Sequence, residues 1–332
     1  MPYNRGRCCG LNDLTVLIHT ADGKIYIPSV LDGMVIETFR KGQPGKLTFK
    51  AVQDELLTIA EGNIVQVKRG DTGIFQGIIF SRALDKDNVI SIVAYDQLRY
   101  LKNKHVYSAV GKKASEIITQ LAADFQLTVG EIADTEYIIP RFRAGDQTLF
   151  DMMQTALDIT TQAQSKLFIL YDDYGKLTVK NMENMRVDIL IDSETAENFA
   201  FKSDIDKDTY NRIKLYFDNK DTGLREVWQV EDTATMSRWG ILQLTESVNP
   251  KKATSLPDKA QAMLKKYNRV RQSLSIRNAL GDDRVRGGSV IFIDLLIDKQ
   301  HVQMKMLVEA VKHTYRNNEH LMDLTLRGGV FE

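Results

Sequence analysis

One three-strand pattern occurs twice in this chain, once near each end. Asn63–Lys68 (NIVQVK) leads into Gly73–Leu84 (GIFQGIIFSRAL), a DKDN turn and Val89–Asp96 (VISIVAYD). Ser289–Asp294 (SVIFID) leads into Val302–Tyr315 (VQMKMLVEAVKHTY), an RNNE turn and His320–Leu326 (HLMDLTL). Each run opens after a glycine, Gly62 or Gly288, and ends in a long hairpin. The likeness lies in pattern more than in identity. It constrains architecture strongly, because a chain with two similar barrels lets three subunits imitate a six-fold ring.

The rest of the chain divides around that repeat. Residues 14–104 read as strand almost throughout: Leu14–Thr20 and Lys24–Val30 flank an ADG turn, and Met34–Arg40 and Gly45–Val52 are separated by KGQPG, where glycine and proline stop a strand. Val89–Tyr95 is apolar on both alternating faces, as a central strand covered on both sides would be. The period then changes. Ala114, Ile117, Ile118, Leu121, Ala122 and Phe125 recur at helical steps, and a second helix starts near Thr148 with Asp146 placed as its N-cap. Lys166–Tyr171 and Lys176–Lys180 form a hairpin across DDYG. Strands return from Tyr210, interrupted by one helix whose Ser255 and Asp258 form a capping box.

Many short strands without intervening helices argue for a small barrel or sandwich over 14–104; taken as a barrel, the expected fold is α+β and mainly β, with two similar small antiparallel β-barrel (tube) domains flanking a middle α+β domain. The boundaries are 1–104, 105–200 and 201–332, the last with one inserted helix.

Lys plus Arg and Asp plus Glu both number 44, so the formal net charge is zero. That removes the electrostatic footprint of a dedicated nucleic-acid binder and part of the repulsion that keeps monomers apart. The first residues hold no apolar signal core, and no apolar run is long enough to span a bilayer, so a soluble chain made in a reducing cytoplasm without membrane insertion is expected. Cys8 and Cys9 are adjacent, a poor geometry for a mutual disulfide, and read as free thiols in a loose N-terminal arm.

Residue types that carry chemistry are sparse. His19, His105, His301, His313 and His320 have no ligand spacing, and His313 and His320 read as a surface pair across the last hairpin. No nucleophile elbow, Walker sequence or dinucleotide fingerprint is present, so no cofactor or metal is expected. Asp172–Asp173 and Asp282–Asp283 could be the paired acids of a glycosidase, but both sit where turns favour aspartate. Lys251, Lys252, Lys259, Lys265, Lys266, Arg269 and Arg271 gather on and around one helix without the aromatic interleaving of a stacking platform, which points to a solvated face or an acidic partner. Core burial is the first expectation for Trp228 and Trp239, and interface anchoring the second. Trp228, Trp239, Lys265, Lys266 and Arg269 are therefore the candidate interface residues.

Ala94–Asn103 (AYDQLRYLKN), Ala114–Phe125, Asp146–Leu157 (DQTLFDMMQTAL), Trp239–Gln243 (WGILQ) and Val285–Ile293 (VRGGSVIFI) resemble the XkdQ/YqbQ-type proteins of phage-like elements, relatives of the baseplate hub of contractile tails. The similarity spans nearly the whole chain. It implies a non-enzymatic homotrimer, a pseudo-hexameric ring that nucleates the tail tube and holds the trimeric central spike. The implied partners are tail tube protein, spike, baseplate wedge and tape-measure proteins, with DNA only as passing cargo. The implied location is the baseplate of a virion or phage-tail-like particle. Some hubs of this class carry a peptidoglycan-cleaving domain; this chain ends six residues after its last strand, so that activity is not carried over. The rival expectations are a peptidoglycan hydrolase of the tail tip and a carbohydrate- or nucleic-acid-binding barrel protein.

Overall fold

The computed structural model describes residues 13–53, 59–219, 222–248, 256–297 and 300–328. Cys8, Cys9, Lys251, Lys252 and Ser255 lie outside them. The chain forms two compact units, 1–200 together with 274–332, and 201–273.

In the larger unit, β1 (Leu14–His19), β2 (Ile25–Tyr26), β3 (Met34–Phe39), β4 (Lys46–Val52), β5 (Ile64–Arg69), β6 (Thr72–Leu84) and β7 (Val89–Tyr95) are the N-terminal strands. Strict alternation sets their faces. Leu47, Phe49 and Ala51 of β4 point into a core shared with Val65, Val67 and Ile92, while Lys46 and Lys50 stay on the other side. As expected, β7 is central, between β4 and β6; Ile90, Ile92 and Ala94 are fully buried and the opposite face is half-covered.

The middle segment holds β8 (Lys104–Lys113), α1 (Ala114–Asp124), β9 (Val129–Ile132), β10 (Ile138–Thr148), α2 (Leu149–Gln164), β11 (Phe168–Asp172) and β12 (Leu177–Asn181). The two helices bury the predicted stripes, Ile117, Ile118 and Leu121 against Leu149, Met152, Met153 and Ala156. The N-cap of α2 is Thr148, which accepts from the Asp151 N–H at 3.1 Å, and not Asp146. Asp146 instead has φ of 50° where the β8–β10 register slips, and reaches Lys104. A β-bulge thus takes the residue that the sequence offered as a cap.

The chain continues through β13 (Arg186–Asp192) and β14 (Ala196–Asp204). Next come β15 (Arg212–Asp218), β16 (Arg225–Glu231), α3 (Thr233–Trp239), β17 (Gln243–Ser247) and α4 (Leu256–Tyr267) of the smaller unit. There β16, β15 and β17 form a three-stranded sheet, and Ile213 and Leu215 pack on Ala260 and Leu264 of α4. Helix α3 was not expected; it buries no residue, so it leaves no apolar stripe to read. The chain closes with β18 (Arg271–Leu280), β19 (Val290–Ile297), β20 (Gln300–Arg316) and β21 (Glu319–Arg327).

The repeat is a duplication of topology. Neighbouring strands run β3-β4-β7-β6-β5-β1 in one sheet region and β14-β18-β21-β20-β19-β13 in the other, so strands occupying equal places also follow in equal chain order. The match extends to single bonds. Gly62 N–H donates to Ile79 C=O at 2.9 Å, and Gly288 N–H to Val308 C=O at 2.8 Å. Ile79 N–H returns to Asn63 C=O, and Val308 N–H to Ser289 C=O. Asn63 Oδ1 accepts from Ala60 N–H at 2.9 Å, and Ser289 Oγ from Arg286 N–H at 3.0 Å. Each long strand slips register at the same place, between Ile79 and Ser81 and between Val308 and Ala310. One difference stands out: β1 meets β5 antiparallel, whereas β13 meets β19 parallel.

Gly62 and Gly288 have φ of 89° and 97°, values strained for any other residue. A Cβ on Gly62 would meet open space, but one on Gly288 would strike Ile169 Cγ2. Gly62→Ala is expected to cost about 1 kcal/mol and Gly288→Ala about 2–3 kcal/mol, measured by urea unfolding.

The two regions are not separate closed barrels. Among the described residues the path of paired strands is open, and β20 joins β3 across Ala310–Tyr315 and Met34–Phe39 to make one continuous 13-stranded sheet. The strands are mainly antiparallel and the chain mainly β, as expected. Closure within each repeat is not found.

Candidate assembly site

The seam between the repeats is where polar groups concentrate. β20 is 17 residues long because it serves three neighbours: β19 along its first half, β21 along its second, and β3 on the edge beyond β19. Arg40 N–H donates to Glu309 C=O at 2.9 Å and Gly33 N–H to Tyr315 C=O at 3.1 Å, which brackets the pairing. Arg40 Nε lies 2.7 Å from Glu309 Oε2, and Arg327 Nε 3.0 Å from Glu309 Oε1. Gly287 N–H donates to Thr38 Oγ1 at 2.9 Å, and a Cβ at Gly287 would run into the Phe39 and Arg40 backbone.

Beside the seam a buried network links both repeats. Arg69 of β5 places Nε 2.6 Å from Asp283 Oδ2, and the Tyr315 hydroxyl donates to Asp283 Oδ1 at 2.7 Å. His313 Nε2 lies 2.9 Å from the Val285 carbonyl and its Nδ1 2.9 Å from His320 Nε2. A carbonyl only accepts, so His313 Nε2 carries its proton and Nδ1 accepts from His320 Nε2–H. Both rings are then neutral, with His320 Nδ1 bare and 3.6 Å from Asp283 Oδ1. Burial holds the His313 pKa below its ordinary value and takes His320 down to about 4, with the His313 ring contributing. Despite its burial, Asp283 is kept below the usual carboxylate range by Arg69 and the Tyr315 hydroxyl.

Two sequence expectations change here. His313 and His320 are not a surface pair; they are 3% and 7% exposed. Gly281 lets the chain close over them, since a Cβ there would collide with the His320 ring. Asp283 is an ion-pair anchor as well as a turn residue, whereas Asp282 keeps the turn role by accepting the Arg284 N–H at 2.9 Å.

A second buried joint connects the first repeat, the middle segment and the loop before β19. Asp96 accepts from the Gly45 and Leu98 N–H groups at 2.8 and 3.0 Å, and Asp172 from Gly175 N–H at 2.8 Å. Arg286 donates to the Asp172 carbonyl and stacks 4.1 Å from the Tyr171 ring centre. Burial first, then the Asp172 charge, pushes Asp96 well up, and burial raises Asp172 to about 6. These acids are buried in protein; both Asp96 oxygens and Asp172 Oδ1 are taken by backbone N–H groups, an arrangement suited to a joint. Asp173 stays partly exposed in the hairpin turn.

The five candidate interface residues all fall in the smaller unit. Trp228 on β16 is 44% exposed and Trp239 at the end of α3 is half-buried, so neither takes the core position expected first. Lys265, Lys266 and Arg269 are exposed; Lys266 Nζ lies 5.1 Å from the Tyr267 ring centre. Leu224, Val227 and Ile241 add exposed apolar area to the same unit. Among the described residues no cluster of His, Cys, Asp and Glu could hold a metal, and no helix is long and apolar enough to cross a membrane.

The fold is shared with tail proteins of known structure: a tail protein from Neisseria meningitidis superposes with a TM-score of 0.68 at 13% identity, covering 95% of this chain and 97% of that one. The chain belongs to the YqbQ-like family, whose model matches residues 34–327. Its relatives in Bacillus subtilis include YqbQ, 28% identical over 309 residues (90% of this chain, 92% of YqbQ). They also include the phage-like element PBSX protein XkdQ, 27% identical over 271 residues (80% and 82%).

Proposed function

We propose that this protein is a structural hub of a contractile-tail baseplate. Three chains form a ring of six similar sheet regions on which the tail tube starts, and the other side of the ring holds a trimeric central spike. The observation that carries the reading is the bond-for-bond repeat around Gly62 and Gly288 with its shared strand order. A chain with two equivalent regions can present six-fold neighbours with six alike surfaces while remaining three-fold itself. Family membership and the shared tail-protein fold support the baseplate context.

In this reading residues 1–104 and 201–332 supply the tube-type domains and 105–200 the middle domain, with β13 and β14 added to the second repeat. Trp228, Trp239, Lys265, Lys266 and Arg269 are contacts for surrounding wedge or spike proteins. Tape-measure protein and passing DNA meet the ring only at its lumen. The role is non-enzymatic, and the protein resides in the assembled particle after synthesis in the bacterial cytoplasm.

Light scattering and negative-stain microscopy of the purified chain test this. The expected result is a trimer with a six-lobed ring outline. A strict monomer, or clearing of cell-wall substrate in a zymogram, overturns it.

A further inference from the structure

We propose that the bare edge of β6 in one chain pairs with the bare edge of β14 in a neighbouring chain, reproducing between subunits the β20–β3 seam found within each. This rests on the ring reading above and names the surfaces that would build it.

The argument is one of internal equivalence. Register places Ile79, Ser81, Arg82, Ala83 and Leu84 of β6 where Val308, Ala310, Val311, Lys312 and His313 of β20 stand. In β20 the far half has β21 on one side and β3 on the other. In β6 the far half has β7 on one side, and no described strand pairs with the other. Burial follows suit: Val311, His313 and Tyr315 are at most 3% exposed, whereas Ser81 to Leu84 are all exposed and Leu84 reaches 55%.

The complementary edge is equally bare. β3 fills one end of the first six-strand order and β14 the same end of the second. β3 buries Met34 and Ile36 against the seam, while β14 has no buried residue and, among the described residues, ends the sheet. Among the described residues each chain therefore satisfies one β6/β20-type edge and one β3/β14-type edge internally, and leaves one of each open. Unpaired edges of this kind are templates for strand addition. Because the two open edges differ, the contact is head-to-tail, and heterologous contacts close into rings when the rotation permits. Three internal seams would alternate with three between chains.

Backbone direction gives the test. Asp85 N–H donates inward to Val89 C=O at 3.0 Å, so by alternation Leu84 and Arg82 direct their N–H and C=O groups to the open edge. Arg82→Pro removes an outward donor and spares the β6–β7 hairpin, and edge strands tolerate proline. The expected result is loss of the trimer in light scattering with an unchanged thermal transition. In a chain with Cys8→Ser and Cys9→Ser, Arg82→Cys is combined in turn with Ala200→Cys, Lys202→Cys or Asp204→Cys, the β14 positions around the counterpart of Thr38, which faces Val311. At least one pair is expected to give disulfide-linked dimers and trimers on a non-reducing gel, reversed by reductant. A trimer that none of the pairs cross-links, or that survives Arg82→Pro, overturns this pairing and leaves the ring. A monomer by light scattering in the unmutated chain overturns both.

Discussion

Asp283→Ala is expected to lower stability by about 3–5 kcal/mol, the range for breaking a buried ion pair by removing one partner. The carboxylate is 19% exposed and takes Arg69 on one oxygen and the Tyr315 hydroxyl on the other. Alanine would leave the guanidinium, itself 15% exposed, without this counter-charge, and a buried phenol without its acceptor. Asp283→Asn keeps an acceptor for Tyr315 and should recover part of the loss. Lys104→Ala, which breaks an exposed pair with Asp146, should change stability by less than about 1 kcal/mol. Urea unfolding of the three variants decides. If Asp283→Ala and Lys104→Ala cost the same, the network does not hold the repeats together.

Acid should weaken the same junction. His320 has a pKa of about 4 in the folded chain against 6.5 when unfolded. Between those values the unfolded state binds more protons, so stability falls as pH drops through 6.5 and the loss levels off below about 4. The shift is worth on the order of 3 kcal/mol. The groups facing the ring are His313, Tyr315, Asp283, Arg69 and Asp282. Asp172 acts in the opposite sense: its folded pKa of about 6 lies above 3.8, so its contribution is present below 3.8 and lost as pH rises through 6. The wild-type slope is therefore a difference, and His320→Phe removes the His320 part of it while His313 remains. Phenylalanine keeps the stack on Tyr315, where ring centres are 4.3 Å apart, but cannot titrate. It should be less stable at neutral pH, since His313 Nδ1 loses its donor, and should lose less stability than wild type between pH 6.5 and 4. Equal slopes in urea midpoints against pH would refute the assignment.

Local pattern made the repeats and both middle helices legible, because alternation and 3.6-residue stripes report burial directly. Partner choice was not legible. Nothing in Met34–Phe39 or Ala310–Tyr315 says that these strands pair, since a period of two names a face and not a neighbour. The ribbon of β8 with β10 was equally hidden: β8 alternates exposed with half-buried residues, and β10 buries Ile139, Phe142 and Ala144 at uneven spacing, so neither strand shows a clean period of two. His313 and His320 read as surface residues because their flanks, KHT and EHL, are polar on one side. Only Gly281, a residue with no room for a side chain, signals that another segment covers them. Thr148 and Asp146 are both good caps, and the bulge that separates them is a property of two strands together.

The β3–β20 pairing also sets a schedule for synthesis. Arg40 and its partner Glu309 are 269 residues apart. At roughly 5–20 residues per second, a growing chain carries β3 for roughly a quarter of a minute to a minute before β20 leaves the ribosome. Throughout that interval the first sheet offers a sticky border to any other nascent copy on the same message. Crowded polysomes would thus favour strand exchange between chains over closure within one.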